Sequence, residues 1–310
     1  MMQMLAIGEC MIEMSGGGQG EAGGWRLGFA GDTLNTLWYA RAGLDPADGP
    51  VGYLTALGDD PFSDRITAFL AVNGIDTGLI RRIPGRRPGL YLIEQRGGDR
   101  TFTYWRETSA ARQLADDEEA LRAGMARARL IYFSGITLAI LSPAMRARLI
   151  GAASAARAAG ARVAFDPNIR PALWESPEEM RAQLTLAAGA SDIVLPSFDD
   201  ERAAFGDADP EATARRYSAA GAGEVAVKDA GRPVTTLAGG ALARHEVAPV
   251  VPVDPTGAGD AFNGAYLARR LRGGSPAEAA AAGNAIAGEV VARHGAIIEM
   301  AGMGRWRAPE

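Results

Sequence analysis

The stretch Asp254-Pro255-Thr256-Gly257-Ala258-Gly259-Asp260 lies between a β-like run, Val247 to Val253, and an apolar run, Ala261 to Leu271, that predicts a helix. Two glycines around a small alanine let consecutive backbone N–H groups turn toward one point. The helix that follows adds its unpaired N–H donors and the positive end of its dipole at the same place. Residues 257–259 are therefore predicted to form an anion-binding loop, and phosphate is the anion that such loops commonly bind.

Asp260 closes this loop at the point where the donors converge. A carboxylate there can take a proton from an attacking hydroxyl while the loop amides hold the charge that develops on a transferred phosphoryl group. The alternative is an ordinary Asp N-cap above a glycine turn, because Asp is among the preferred N-cap residues. The stretch alone leaves both interpretations open, so other segments have to decide between them.

The composition describes an ordinary globular chain. Its 310 residues are 47% hydrophobic and 22% charged, which is enough core-forming material for one large domain. The net charge is -5 and the basic residues are scattered, so nucleic acid is not an expected partner. The run from Leu130 to Leu141 is too short to span a bilayer, which predicts no membrane association and a cytoplasmic location. The single cysteine, Cys10, excludes an internal disulfide.

Short apolar runs alternate with longer amphipathic segments along the chain. Leu130 to Ser134 precedes the Ala/Arg-rich segment Pro143 to Ala159, and Val163 to Phe165 precedes Pro177 to Ala190. Alternation of this kind is typical of a mostly parallel sheet with helices on both faces. The sequence therefore predicts an α/β fold with a three-layer αβα core.

One region departs from that alternation. Gly89 to Glu94 and Thr101 to Arg106 face each other across a Gly-Gly turn, which predicts a β-hairpin. Together with Met11 to Met14 and Trp25 to Phe29, the hairpin predicts a small sheet outside the main layers, and we interpret that sheet as a lid. The alternative is an extra antiparallel edge on the main sheet.

These segments carry a resemblance to a known family. The stretch 254–260, continued by Ala261-Phe262-Asn263-Gly264-Ala265-Tyr266-Leu267, resembles the C-terminal signature of the ribokinase (PfkB) family of sugar kinases. The resemblance spans nearly the whole chain, and it implies a single ribokinase-like kinase domain over residues 1–310 with a small β-sheet lid inserted from about 11–30 and 86–108. The segments that resemble the 2-keto-3-deoxygluconate kinases of this family are Gly31-Asp32-Thr33-Leu34-Asn35-Thr36, Gly89-Leu90-Tyr91, Tyr104-Trp105-Arg106 and Asp166-Pro167-Asn168-Ile169-Arg170-Pro171.

The resemblance implies ATP-dependent phosphorylation of 2-keto-3-deoxy-D-gluconate on its terminal 6-hydroxyl, with Mg²⁺ as the metal. Whether K⁺ assists near Asp254 and Gly295 stays open. One alternative is a kinase of the same family for another small sugar, such as keto-deoxygalactonate, ribose or fructose. Another is a non-catalytic sugar or nucleotide sensor, although binding alone does not need the base Asp260.

Several polar residues are implied at the sugar acid. Asp32 and Asn35 lie three residues apart at a predicted helix start, where their side chains can bind hydroxyls, although Asp32 can also be read as a helix cap. Arg106 and Arg170 are candidates for the carboxylate or a phosphate, and the sequence leaves open which arginine binds which anion. A solvated surface position is the alternative for Arg106 and Arg170. Tyr91 and Tyr104 lie on the predicted lid strands, where their rings can cover the ligand, and ordinary cross-strand packing is the alternative for both. The implied substrate-binding residues are Gly31, Asp32, Asn35, Tyr91, Tyr104, Arg106, Arg170 and Asp260.

For the nucleotide, the resemblance points to the loop Gly257 to Gly259 and to the residues after the predicted strand Val225 to Val227, because α/β sheets bind ligands at the carboxyl ends of their strands. The family's usual Asn-x-x-Glu motif is replaced here by Ser197-Phe198-Asp199-Asp200. Asp200 is therefore the candidate Mg²⁺ ligand, directly or through water, with a charged helix start as the alternative. A solvated lysine and a polar helix surface are the alternatives for Lys228 and Asn284. The implied nucleotide-binding residues are Asn168, Ser197, Lys228, Gly231, Gly257, Gly259 and Asn284.

The lid also bears on assembly. An exposed sheet with apolar residues on both faces favours pairing with a second copy of itself. We therefore expect a homodimer or a multiple of it, with ATP and a small sugar acid as the ligands.

Overall fold

The computed structural model describes residues 1–16, 24–96 and 99–299 of the chain. Strands and helices alternate through most of this length. The strands are β1 (Met2–Ile7), β2 (Met11–Gly16), β3 (Arg26–Ala30), β4 (Val51–Leu57), β5 (Ile75–Asp76), β6 (Ile80–Arg82), β7 (Leu90–Arg96), β8 (Asp99–Trp105), β9 (Ala128–Ser134), β10 (Arg162–Asp166), β11 (Ile193–Val194), β12 (Glu224–Asp229), β13 (Arg232–Ala238) and β14 (Ala241–His245). The α-helices are α1 (Asp32–Gly43), α2 (Pro61–Val72), α3 (Glu118–Met125), α4 (Gly135–Ile140), α5 (Pro143–Ala158), α6 (Pro177–Gly189), α7 (Phe198–Phe205), α8 (Pro210–Ala219), α9 (Ala258–Leu271) and α10 (Pro276–Val291).

Most strands form one large sheet in the order β14-β13-β12-β11-β10-β9-β1-β4-β5, and β6 pairs with β4 beside this path. The pairs from β12 through β1 to β5 and β6 are parallel, whereas β13 and β14 are antiparallel. Central strands such as β1 and β4 are buried along their whole length, because helices cover both faces of a parallel sheet. The predicted α/β fold is confirmed.

Alternate side chains of each strand enter two different cores. Ile131 and Phe133 of β9 pack on one face with α3, α5, α6 and α8, while Leu130 and Tyr132 pack on the other with α1, α2, α9 and α10. The period of two along a strand thus separates the two helical layers. This arrangement gives the three layers that the sequence predicted.

A second sheet has four strands in the order β3-β2-β7-β8. Strands β7 and β8 pair antiparallel, with Tyr91 opposite Tyr104, as the hairpin prediction required. The Gly-Gly turn itself, residues 97–98, lies outside the described residues. Because none of the described strands of this sheet pairs with the main sheet, the alternative of an extra edge on the main sheet is wrong.

The β-like run Val247 to Val253 is not a strand, so that prediction is wrong. The segment is irregular after His245, and Pro249 and Pro252 remove backbone donors that a sheet ladder would need. The backbone N–H groups of Val253 and Asp254 instead donate to the carbonyl of Val291 on α10, at 2.8 and 3.0 Å. This connection carries the chain from the sheet edge to the start of α9.

Candidate active site

A cavity of about 490 Å³ lies between the carboxyl edge of the main sheet and the small sheet. Its floor comes from residues at or just after the ends of β1, β10, β11 and β12, and its cover from β2, β7 and β8. The cavity brings together most of the residues predicted for the site. They are Gly31, Asp32, Asn35, Tyr91, Tyr104, Arg106, Asn168, Arg170, Ser197, Asp200, Lys228, Gly257, Gly259 and Asp260.

The loop before α9 has the shape expected of an anion cradle. Gly257 is the N-cap residue of α9 and has φ of 77°, in the left-handed region. A Cβ atom there would lie 2.7 Å from the carbonyl oxygen of Ala296, so a side chain would not fit. Because Gly257 caps the helix, Asp260 lies in its first turn, and the alternative that Asp260 is the N-cap is wrong.

The carboxylate of Asp260 points into the cavity. Asn35 Nδ2 donates a hydrogen bond of 2.8 Å to Asp260 Oδ2 and thereby fixes its orientation. Burial raises the pKa of Asp260 well above its ordinary value, and the neighbouring Asp32 raises the pKa further. A carboxylate with a raised pKa is the better proton acceptor, which suits a general base.

A buried hydrogen-bond network that the sequence did not predict lies beside Asp260. Asp166 Oδ2 accepts hydrogen bonds from Lys228 Nζ at 3.0 Å and from Asn263 Nδ2 at 2.6 Å. Lys228 is buried, so its interpretation as a solvated lysine is wrong. Asn168 Nδ2 in turn donates to Asp32 Oδ2 at 2.9 Å. The Lys228 ammonium thus pairs with Asp166, and both groups act on Asp260: Asp166 raises its pKa and Lys228 lowers it.

The two candidate arginines have different surroundings. Arg106 is buried and forms an ion pair with Glu9, a buried residue just after β1 that the sequence analysis did not single out. Arg170 is half-exposed at the rim, and its Nη1 lies 3.4 Å from Asp200 Oδ2. Burial raises the pKa of Asp200, whereas Arg170 lowers it. Only Arg106 is enclosed by the cavity.

Tyr91 and Tyr104 pack against each other and also line the cavity. Tyr91 stacks on Tyr104 with ring centroids 5.7 Å apart, as opposite residues of a hairpin do. The Tyr91 hydroxyl donates to the carboxylate of Glu13 on the neighbouring strand β2. Cross-strand packing is thus present, and both rings still face the cavity.

Gly31 has a structural reason to be glycine that the sequence did not reveal. A Cβ atom on Gly31 would lie 2.1 Å from the carbonyl oxygen of Glu9. The close approach is therefore between two backbone segments, in addition to the exposure of Gly31 to the cavity.

Three predicted site residues do not line this cavity: Ala258, Gly231 and Asn284. Ala258 is the first residue of α9, and Gly231 lies in the two-residue turn between β12 and β13. Asn284 lies on α10, where its Nδ2 donates to the carbonyl of Glu246 at 3.3 Å. Their roles toward a nucleotide stay predictions.

A three-layer αβα fold, with a glycine-capped helix start and a buried carboxylate at the same cavity, is an arrangement suited to phosphoryl transfer. The chain belongs to the pfkB family of carbohydrate kinases, whose family model matches residues 1–301. It is therefore a carbohydrate kinase, and the expected family and kind of enzyme are confirmed.

Individual relatives agree with this family. A 2-dehydro-3-deoxygluconokinase from Dickeya dadantii (strain 3937) is 40% identical over 304 residues, which cover 96% of this chain and 97% of that protein. The crystal structure of a PfkB protein from Polaromonas sp. JS666 has a TM-score of 0.84 at 29% identity and covers 98% of this chain and 99% of that one. A structure described as a ribokinase II from E. coli, in complex with ATP and Mg²⁺, has a TM-score of 0.82 at 25% identity and covers 99% of each chain. No helix within residues 1–16, 24–96 and 99–299 is long and apolar enough to cross a membrane.

Proposed function

We propose that this kinase transfers the γ-phosphoryl group of ATP to the 6-hydroxyl of 2-keto-3-deoxy-D-gluconate, giving the 6-phosphate and ADP. The observation that carries the proposal is one cavity that holds both a base on an anion cradle, Asp260, and a buried guanidinium, Arg106. A sugar acid has the two groups that such a cavity would read, a hydroxyl to be phosphorylated and a carboxylate. The 40% identity to a 2-dehydro-3-deoxygluconokinase supports this substrate.

Asp260 is the proposed base. It takes the proton of the 6-hydroxyl as that oxygen attacks the γ-phosphorus, while Asn35 holds the receiving carboxylate in place. The backbone N–H groups of Gly257 and Gly259, at the positive end of the α9 dipole, stabilise the negative charge that develops on the transferred group. The Ala258 N–H donates to the carbonyl of Pro255 at 3.2 Å in this structure, so its part in the anion hole stays a prediction.

We assign the substrate carboxylate to Arg106. Its guanidinium lies inside the cavity, and its Nε is buried without a hydrogen-bond partner among the described residues. Guanidinium donors match a planar carboxylate in paired geometry. Arg170, at the rim and beside Asp200, is then assigned to a phosphate group of ATP.

The residues present suit Mg²⁺ that arrives with ATP. Within the part of the chain that the structure describes, no three His, Cys, Asp or Glu side chains gather into a metal cage. Mg²⁺ usually keeps several waters and takes one or two carboxylates beside nucleotide phosphates, and Asp200 is the carboxylate we assign to it. When bound, the metal supplies positive charge against the transferred phosphoryl group. Potassium near Asp254 and Gly295 stays a prediction; there, the Gly295 N–H donates to Asp254 Oδ2 at 2.7 Å.

We also propose that the small sheet acts as a lid and as a dimer surface, and that the enzyme works in the cytoplasm, where ATP is available. Tyr91 and Tyr104 cover the cavity from β7 and β8, so closure of this sheet would exclude water from the reaction. Trp105 is 51% exposed on the neighbouring position of β8. An exposed aromatic surface on an open sheet favours a second copy of the same sheet as its cover.

The test is ADP release with Mg²⁺ and ATP in the presence of 2-keto-3-deoxygluconate, its galactonate epimer, ribose, fructose, gluconate or adenosine. Turnover confined to the keto-deoxy acids is the expected result. Preference for a neutral sugar would contradict the substrate but keep the kinase. Absence of turnover with every acceptor would instead favour a non-catalytic sensor.

A further inference from the structure

Glu9 is a buried carboxylate at the carboxyl edge of the main sheet. Its side chain is 2% exposed and it lines the active-site cavity. Glu9 Oε2 accepts a hydrogen bond from Arg106 Nη2, whereas Glu9 Oε1 has no hydrogen-bond partner among the described residues. The ion pair therefore has one unsatisfied acceptor on Glu9 and one unsatisfied donor, Nε, on Arg106.

Two unsatisfied polar atoms on one buried ion pair require an explanation. Buried side-chain polar atoms in native proteins almost always have a partner, because burying one without a hydrogen bond is costly. Both residues line the cavity, but these two atoms are themselves closed off from it, and Glu9 Oε1 faces Gly89. A ligand in the cavity therefore meets the pair through the Arg106 guanidinium, which suits a ligand with an acidic group.

Two glycines leave room for Glu9 beside the cavity. A Cβ atom on Gly89 would lie 2.8 Å from Glu9 Oε1, and a Cβ atom on Gly31 would lie 2.1 Å from the Glu9 carbonyl oxygen. Glycines on two sides thus leave the room that Glu9 occupies. The Arg106 guanidinium is also placed over the Tyr104 ring, 5.9 Å from its centroid.

We propose that Glu9 is a positioning residue for recognition of the sugar acid. Its Oε2 holds Arg106 Nη2 and so orients the guanidinium toward the substrate carboxylate. The inference rests on the proposed function and deepens it, because it states what holds the guanidinium that binds the acid.

The substitution Glu9→Gln separates a positioning role from a purely electrostatic one, because the two roles change substrate binding in opposite directions. The Glu9 carboxylate repels an anionic substrate, so Glu9→Gln would strengthen substrate binding if Glu9 acted only through its charge. If Glu9 orients Arg106, Glu9→Gln weakens substrate binding. The direction of the change in KM therefore distinguishes the two roles.

The experiment compares steady-state kinetics of the wild type, Glu9→Gln, Gly89→Ala and the control Glu224→Gln. Glu224 is also buried and paired with an arginine, Arg270, but it lies at the start of β12 and outside the cavity. Gly89→Ala leaves Glu9 intact and pushes its carboxylate away from the observed position, so it serves if Glu9→Gln fails to fold. Thermal midpoints of all the proteins are measured beside the kinetics.

We expect Glu9→Gln and Gly89→Ala to raise the KM for 2-keto-3-deoxygluconate by about tenfold or more, the equivalent of losing one buried hydrogen bond to a charged group. We expect kcat and the KM for ATP to stay within about threefold of the wild type, and Glu224→Gln to leave all three unchanged. An unchanged or lowered KM for the sugar acid in folded Glu9→Gln and Gly89→Ala would overturn the assignment. Absence of turnover of the keto-deoxy acid by the wild type would overturn the proposed function, and the assignment with it.

Discussion

At the residue scale, the central group is Asp260. Asp260→Asn keeps an acceptor for Asn35 Nδ2 but removes the proton acceptor, so substrate binding should survive while the chemical step is lost. We expect kcat to fall by roughly 10²- to 10⁴-fold with little change in KM, the range for general base catalysis. Single-turnover rates check this expectation, with a thermal melt to show that the variant is folded. Near-normal turnover in a folded variant would refute the assignment of Asp260 as the base.

The pH dependence follows from the carboxylates around this base. Burial raises the pKa of Asp260 and Asp32 raises it further, and the base must be deprotonated to act. Activity should therefore be lost, as the pH falls, at a higher pH than an exposed Asp would give. Asp32→Asn removes the repulsion and should shift this acid limb of kcat to lower pH. An acid limb that stays in place or moves upward in Asp32→Asn would contradict this coupling.

The sequence predicted the residues of its signature stretch but not all of their partners. Asp260 and Gly257 could be singled out from the sequence, because a glycine loop followed by a helix start is a local pattern. Glu9 and Arg106 are 97 residues apart, so no local pattern pairs them. Asp166 lies in a segment that resembled the family, yet its role appears only when β10, β12 and α9 meet.

At the element scale, the start of α9 depends on one glycine. Gly257→Ala would force an alanine into the left-handed region and against Ala296, so we expect lower stability and a reduced kcat/KM for ATP. Gly273 is the matched control, because it also has a positive φ, 83°, but an open space where a Cβ would lie. Gly273→Ala should cost about 1–2 kcal/mol of stability and leave activity intact. Equal effects of both substitutions on activity would contradict the role of the cradle.

Helices and strands were predictable where the apolar periodicity agrees with the capping or turn residues at its ends. Helix α6 matches the predicted segment Pro177 to Ala190 to within one residue, because Ser176 caps it and Pro177 occupies its first position. The run Val247 to Val253 has the apolar composition of a strand, but its prolines leave it without a ladder. The apolar composition of this run was therefore misleading, because its prolines cannot donate the hydrogen bonds of a strand.

At the scale of the whole molecule, the exposed sheet predicts self-association. Trp105→Glu places a charge on the proposed dimer surface and should shift sedimentation toward the monomer. Leu186→Glu is the control, because Leu186 is 58% exposed on α6 and away from the small sheet. A wild type that sediments as a monomer at all concentrations would contradict the dimer.

We expect this cavity to direct phosphoryl transfer to the terminal hydroxyl of 2-keto-3-deoxygluconate. The most direct test is proton–phosphorus correlation NMR of the product formed from this acid, ATP and Mg²⁺. We expect a phosphate ester coupled to the two protons of C6. Coupling to a proton of another carbon, or formation of free phosphate without an ester, would contradict it.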